Sequence, residues 1–190
     1  MPSTPTLSSD LDGAALEKLA LRQAPLIRLG DRHPFIFNTT PMSSDWKFRF
    51  DERNVNNNAP QREIQARQRL IDGLVAFGGE RAHVALKDKD LNAIITRGIL
   101  IKGRNVRMIK GEPCSCHSNV AELWNCKRDR ILMMTGYGLS KDGMWRQHSW
   151  ALDVQPRSAV IVETTVKRIA YFGFVMTEAE SVKFYKLNHA

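Results

Sequence analysis

A chain of 190 residues, 43% hydrophobic and 25% charged, suits one globular domain and excludes collagenous or wholly disordered classes. Its longest apolar patches, near Ile131–Met134 and Ala159–Val162, have strand length and fall short of the roughly 20 residues that cross a bilayer. The net charge of +8 permits binding to nucleic acid or acidic protein, but the clusters Lys102, Arg104, Arg107, Lys110 and Lys127, Arg128, Arg130 lack interleaved stacking aromatics, so a solvated basic surface is the favoured reading.

Residues 1–12 are rich in Ser, Thr and Pro and carry no basic-then-apolar leader. They are expected to be disordered, with the protein cytoplasmic, or exported as an effector without a classical signal peptide. Three cysteines are an odd count, and Cys114 and Cys116 are too close in the chain to bridge easily. This is the usage of a reducing compartment, where a Cys/His cluster means catalysis or metal.

In chain order, Asp12 caps a predicted helix over 13–24 that Pro25 ends, and a loop-like stretch follows to Pro60. Ile64, Leu70, Ile71, Leu74 and Val75 predict a helix from Gln61 to Phe77, stopped by Gly78 and Gly79. Asp88 to Gly98 reads as a short helix. Leu100–Lys102 and Val106–Ile109 read as strands around a Gly103-Arg104-Asn105 turn. Pro113 precedes a helix from Cys116 to Trp124. Strands then follow at Ile131–Gly138, Arg146–Val154, Ala159–Val166 and Ala170–Val175, ordered as a meander, and a helix closes the tail from Thr177. The expectation is a single α+β domain over 13–190, with N-terminal helices packed on an antiparallel sheet. Residues 13–110 are its helical and loop scaffold, and 111–176 its catalytic core.

The chemistry concentrates between Cys114 and Glu163. A thiol attacks as thiolate, and a helix N-terminus lowers its pKa, which is where Cys116 stands. The nucleophile needs a base, and the base needs an orienting group. Strand alternation puts His148, Trp150 and Leu152 on one face, and Ala159, Ile161 and Glu163 on one face of the next strand. A carboxylate in line with core residues demands a partner. A hairpin turning near Pro156 pairs residues whose numbers sum to about 311–313, which brings His148 opposite Glu163 or within two positions of it. Cys116, His148 and Glu163 are therefore the candidate catalytic set, with no cofactor required.

At these residues the sequence resembles the papain-like and transglutaminase-like cysteine hydrolase superfamily. There a nucleophilic Cys opens a helix, and a His and an acidic or amide residue follow on adjacent antiparallel strands. The transglutaminase-type core is the closer likeness, because its His and acid strands are consecutive. Glu163 stands where that family more usually has Asp or Asn. The resemblance covers the C-terminal half and implies a papain/transglutaminase-like core. It implies acyl transfer as amidase, protease, deamidase or transglutaminase, with a protein, peptide or amide substrate. The string from Cys116 through Glu163 to Gly173 is also similar to a family of bacterial proteins without an established activity.

Secondary candidates for substrate or oxyanion contact are His117, Asn119, Gln147, Tyr137 and Trp150. His117 is expected at the surface or as a cap, Asn119 as an amide donor, and Gln147 facing away from His148. Tyr137 and Trp150 are cleft walls or core. Two readings compete with the hydrolase. One is a zinc site from Cys114, Cys116, His117 and Cys126, although C-x-C-H lacks the separated pairs of a structural site. The other is a non-catalytic basic binding module. No Gly-x-Ser-x-Gly elbow is present to support a serine hydrolase.

Overall fold

The computed structural model describes residues 27–28, 60–155 and 158–189. The predicted helix over 13–24, the disordered 1–12 and the turn at Pro156 lie outside them.

Among the described residues are four helices and eight strands. In chain order they are β1 (Ile27–Arg28), α1 (Gln61–Ala76), β2 (Arg81–His83), α2 (Leu91–Arg97), β3 (Ile99–Lys102), β4 (Val106–Met108), α3 (Cys116–Cys126), β5 (Ile131–Leu139), β6 (Met144–Gln155), β7 (Ser158–Glu163), β8 (Ala170–Val175) and α4 (Glu178–Asn188). The class is α+β. No helix among the described residues is long and apolar enough to cross a membrane.

The strands form one sheet in the order β1-β3-β8-β5-β6-β7-β4, with β2 added to β6. Two expectations are corrected here. The sheet is mixed, not antiparallel, because β2 runs parallel to β6 and β4 runs parallel to β7. The last four strands are not a meander either. The strand β8 returns to pair with β5, giving β8-β5-β6-β7, the order of a Greek key. Turn chemistry identifies hairpins between neighbours in sequence, but a return past two strands leaves no local mark.

A short turn forces the sheet to curl. The strands β3 and β4 stand five places apart in the order, ~24 Å in a flat sheet at ~4.8 Å per strand. Lys102 and Val106 are joined by four peptide links, which reach at most ~15 Å. The curled sheet therefore has an inner and an outer face. Ile99, Met134, Trp150, Leu152, Ile161 and Tyr171 pack on the inner one. The outer face carries Met133, Tyr137, Trp145, Ala151, Val162, Phe172 and Phe174, packed against the helices.

The helices are placed by their buried stripes. Leu70 and Leu74 of α1 are fully buried, and Gly78 and Gly79 end it with positive φ of 126° and 86°. A Cβ on Gly79 would stand 2.8 Å from the carbonyl oxygen of Gly143, so the stop also lets α1 close on the β5–β6 turn. Val120, Ala121 and Trp124 bury α3 against β6 and β5 and so fix the position of its first turn. Large side chains buried this way each contribute about 1.5–3 kcal/mol. Thr177 and Glu180 form a reciprocal capping box that starts α4, which packs on α3.

Candidate active site

One interruption in the sheet joins its outer and inner faces. The strand β5 pairs along one side of β6 from Trp145 to Asp153. On the other side β2 covers Met144–Arg146 and β7 covers Ala151–Gln155. That leaves 147–150 of β6 without a strand partner there among the described residues. The first turn of α3 fills this place. The sulfur of Cys116 accepts a hydrogen bond from the Ser149 backbone N–H.

Cys116 is the first residue of α3, half-buried, after an N-cap at Ser115 whose side chain makes no capping bond. The first intrahelical bond runs from Asn119 N–H to Ser115 C=O at 2.9 Å. Helix geometry gives the N–H groups of Cys116, His117 and Ser118 no acceptor within the helix. The loop before α3 is fastened to the end of β7. Ile109 N–H donates to Glu163 C=O at 2.9 Å, and Gly111 N–H donates to Thr164 C=O at 3.0 Å.

His148 and Glu163 meet on the inner face. The β6–β7 register pairs residues whose numbers sum to 313, as in Ala151 with Val162. His148 therefore lies two positions from the residue opposite Glu163, a diagonal pair on one face. His148 Nε2 and Glu163 Oε2 are 2.7 Å apart. The imidazole packs against the rings of Trp150 and Tyr171, at 6.1 and 6.2 Å between centroids, and those two rings meet each other at 5.0 Å. Glycines make room for these rings. A Cβ on Gly138 would stand 3.3 Å from His148 Cδ2, and one on Gly173 would stand 2.8 Å from the Trp150 ring.

Glu163 is fully buried and accepts five hydrogen bonds. Oε1 takes the N–H groups of Thr164 and Thr165, both at 2.9 Å, and the Thr165 hydroxyl at 3.0 Å. Oε2 takes His148 and the Tyr171 hydroxyl, the latter at 3.2 Å. Burial alone would raise the carboxyl's pKa. The His148 bond, its charge and the Thr165 donors outweigh burial and hold it below the usual range.

The same balance acts on the other two groups. Burial pushes the Cys116 thiol up, but hydrogen bonding to His148, the imidazolium charge and Ser149 N–H bring it below its ordinary value. Burial pushes His148 down, but Cys116 and Glu163 together raise it. Nε2 faces Glu163, which leaves Nδ1 as the nitrogen for Cys116. The arrangement favours a thiolate beside an imidazolium beside a carboxylate.

The secondary candidates are placed as follows. His117 is not at the surface as expected. Its Nδ1 lies 2.7 Å from Ser149 Oγ, and its ring meets Phe184 edge-on at 5.6 Å. Burial and the nearby charge of His148 lower its pKa. Asn119 has its amide fastened to Glu112. Nδ2 donates to Glu112 C=O at 2.8 Å, and Oδ1 accepts Glu112 N–H at 3.1 Å. Gln147 is exposed and alternates away from His148. Tyr137 is outer-face core, with its hydroxyl donating to Asp88 at 2.6 Å. Trp150 is buried beside His148, and its Nε1 has no partner among the described residues.

The four proposed zinc ligands do not converge. Cys114 and Cys126 are exposed, and Cys116 and Cys126 open and close α3, ~15 Å apart. Among the described residues no group of three or more His, Cys, Asp or Glu side chains is arranged to hold a metal ion. Sequence reasoning missed Ser149, Thr165 and Tyr171. Thr165 had a local signal, since a hydroxyl two residues after an inward carboxylate can fold back on it. Tyr171 had none, because the Greek key alone brings β8 to Glu163.

No family model, curated protein or solved structure matches this chain.

Proposed function

We propose that the protein is a cysteine-dependent acyl-transfer hydrolase in which Cys116 is the nucleophile, His148 the acid and base, and Glu163 the group that orients and stabilises the imidazolium. The Cys116 thiolate attacks the carbonyl carbon of an amide or ester, and the carbonyl π electrons move to oxygen. The N–H groups at the start of α3 supply donors for that oxyanion. His148 gives its proton to the leaving nitrogen or oxygen as the bond to carbon breaks, leaving a thioester. Neutral His148 then takes a proton from water as its oxygen attacks the thioester, and the thiolate departs. An amine in place of water gives transamidation.

The observation that carries this reading is the Glu163 carboxylate. It is wholly buried and saturated with donors, and one of those donors is an imidazole that also reaches a thiol at a helix start. A carboxylate needed only for stability has no reason to be partnered with a group that changes charge near neutrality.

The test is alkylation of native protein with iodoacetamide across pH, with the labelled cysteine mapped by mass spectrometry. Cys116 is expected to react well below its free pKa of about 8.5, and His148→Ala to abolish that acid reactivity. A Cys116 that stays inert, or that titrates like a free thiol, sinks the proposal.

A further inference from the structure

A hollow of about 460 Å³ opens where the end of β3, the β5–β6 turn and the β7–β8 connection meet. Lys102, Arg104, Lys141, Lys167 and Arg168 line it, and among the described residues no acidic or aromatic side chain does. Among the described residues no carboxylate forms an ion pair with Arg104, Lys141, Lys167 or Arg168. Arg104, Lys141, Lys167 and Arg168 repel one another where no described carboxylate offsets them, which is a cost that a bound anion removes. The described lining offers no aromatic platform for stacked bases. The volume fits a small group, not a folded partner.

One of these cations is built in. Arg168 Nη1 donates to Ser140 Oγ at 2.6 Å, its backbone N–H donates to the Tyr171 hydroxyl at 3.1 Å, and its Nε is buried without a partner among the described residues. Its stem lies over Gly138 beside His148. A Cβ there would stand 2.8 Å from Arg168 Cγ and 3.3 Å from His148 Cδ2. The segment that bears Arg168 begins with Thr164 and Thr165, which hold Glu163, and ends at Tyr171, which also binds Glu163. The floor is close-fitted, since a Cβ on Gly103 would stand 2.0 Å from the carbonyl oxygen of Arg168.

We propose that this hollow binds an oxyanion group, phosphate or carboxylate, and that its occupancy is felt at the Cys116–His148–Glu163 cluster through residues 163–171. The binding half stands on the hollow's own residues. The coupling half rests on the acyl-transfer reading and implies a substrate or effector that carries such a group.

The test uses the full chain at constant ionic strength, titrated with inorganic phosphate in one arm and acetate in the other. Binding is read by phosphorus-31 line broadening for phosphate and by thermal shift for both. Coupling is read by the rate of Cys116 alkylation. Phosphate is expected to saturate with a dissociation constant on the order of 1 mM and to change the alkylation rate about twofold or more. The double variant Arg104→Glu, Lys141→Glu is expected to weaken binding at least about tenfold. Both positions are exposed, and phosphate is expected to leave the alkylation rate of the double variant unchanged. Lys141→Ala provides a milder check on the same surface. Saturation by acetate alone would identify a carboxylate ligand. No saturable binding of either anion, or equal binding by the double variant, overturns the site. Binding that leaves the alkylation rate unchanged overturns the coupling. A Cys116 inert without any anion defeats the hydrolase reading and leaves the binding arm intact.

Discussion

Two carboxylates are buried on adjacent strands of the same sheet, Glu163 at 0% and Asp153 at 1% exposure, and their surroundings differ in kind. Asp153 on β6 is gripped by the guanidinium groups of Arg107 and Arg130, whose side chains stay 45% and 42% exposed. Its partners are permanently charged, so its pairing is fixed at every ordinary pH. Glu163 has no guanidinium. It is held by backbone N–H groups, two hydroxyls and an imidazole, and the imidazole can gain or lose its proton. Burial of a charge therefore does not by itself mark a site. The mark is a partner able to change charge, in reach of a second reactive group.

That contrast can be broken most forcefully at the imidazole. In His148→Ala the alkylation of Cys116 at pH 6 is expected to fall about 100-fold as the thiol returns to its free value. Glu163→Gln keeps the size of the side chain and removes its charge. The same rate is expected to fall about tenfold, while Asp153→Asn leaves it within about twofold. Equal effects from the two carboxylates would erase the distinction.

Stability should register the Asp153 change that alkylation does not. Asp153→Asn is expected to cost about 1–2 kcal/mol in urea denaturation, a modest figure because both arginines are open to solvent. Burial acts to raise the carboxyl of Asp153, and the bonds from Arg130 and Arg107 overcome it and lower its pKa. A carboxyl depressed in the folded state stabilises above its unfolded value of about 3.9. That contribution is lost as pH falls through the lower folded value. Wild type should therefore lose stability below about pH 4 more steeply than Asp153→Asn, as followed by thermal melts. The smallest effect is expected at Thr165→Val. It removes one of the five bonds to Glu163, costs about 0.5–1.5 kcal/mol, and moves the acid limb of Cys116 alkylation slightly upward.

Much of this was legible in the residues. Apolar runs of strand length bounded by turn residues located β5 to β8, with β8 placed at Ala170–Val175 as found. The apolar stripe and Gly78-Gly79 located α1. Alternation plus one hairpin also put His148 and Glu163 on a common face. What the sequence concealed were non-local pairings. The strand β2 has only three residues, too few for a sequence signal, and finds a parallel partner over 60 positions away. The strands β3 and β4 look like a hairpin across Gly103-Arg104-Asn105, yet they pair with β8 and β7. Of the basic cluster Lys102, Arg104, Arg107 and Lys110, Lys102 and Arg104 line the hollow while Arg107 turns to Asp153. His117 was misplaced because a helix periodicity does not reveal that its first turn enters a break in a sheet.

The tight turn at Gly103 to Asn105 has a consequence for how the protein comes to life. Val106 pairs with Ile161 and Lys102 with Ala170, so the sheet closes only when segments far apart in the chain have found each other. Loop-closure entropy makes such steps slow. The residues of the candidate triad all lie after position 115, yet their geometry depends on strands made before it. Reactivity should then lag behind compaction during refolding. A pulse of iodoacetamide at pH 6 is expected to label Cys116 faintly in early, collapsed chains and strongly once the sheet has closed, making the thiol an internal clock for the last step of folding.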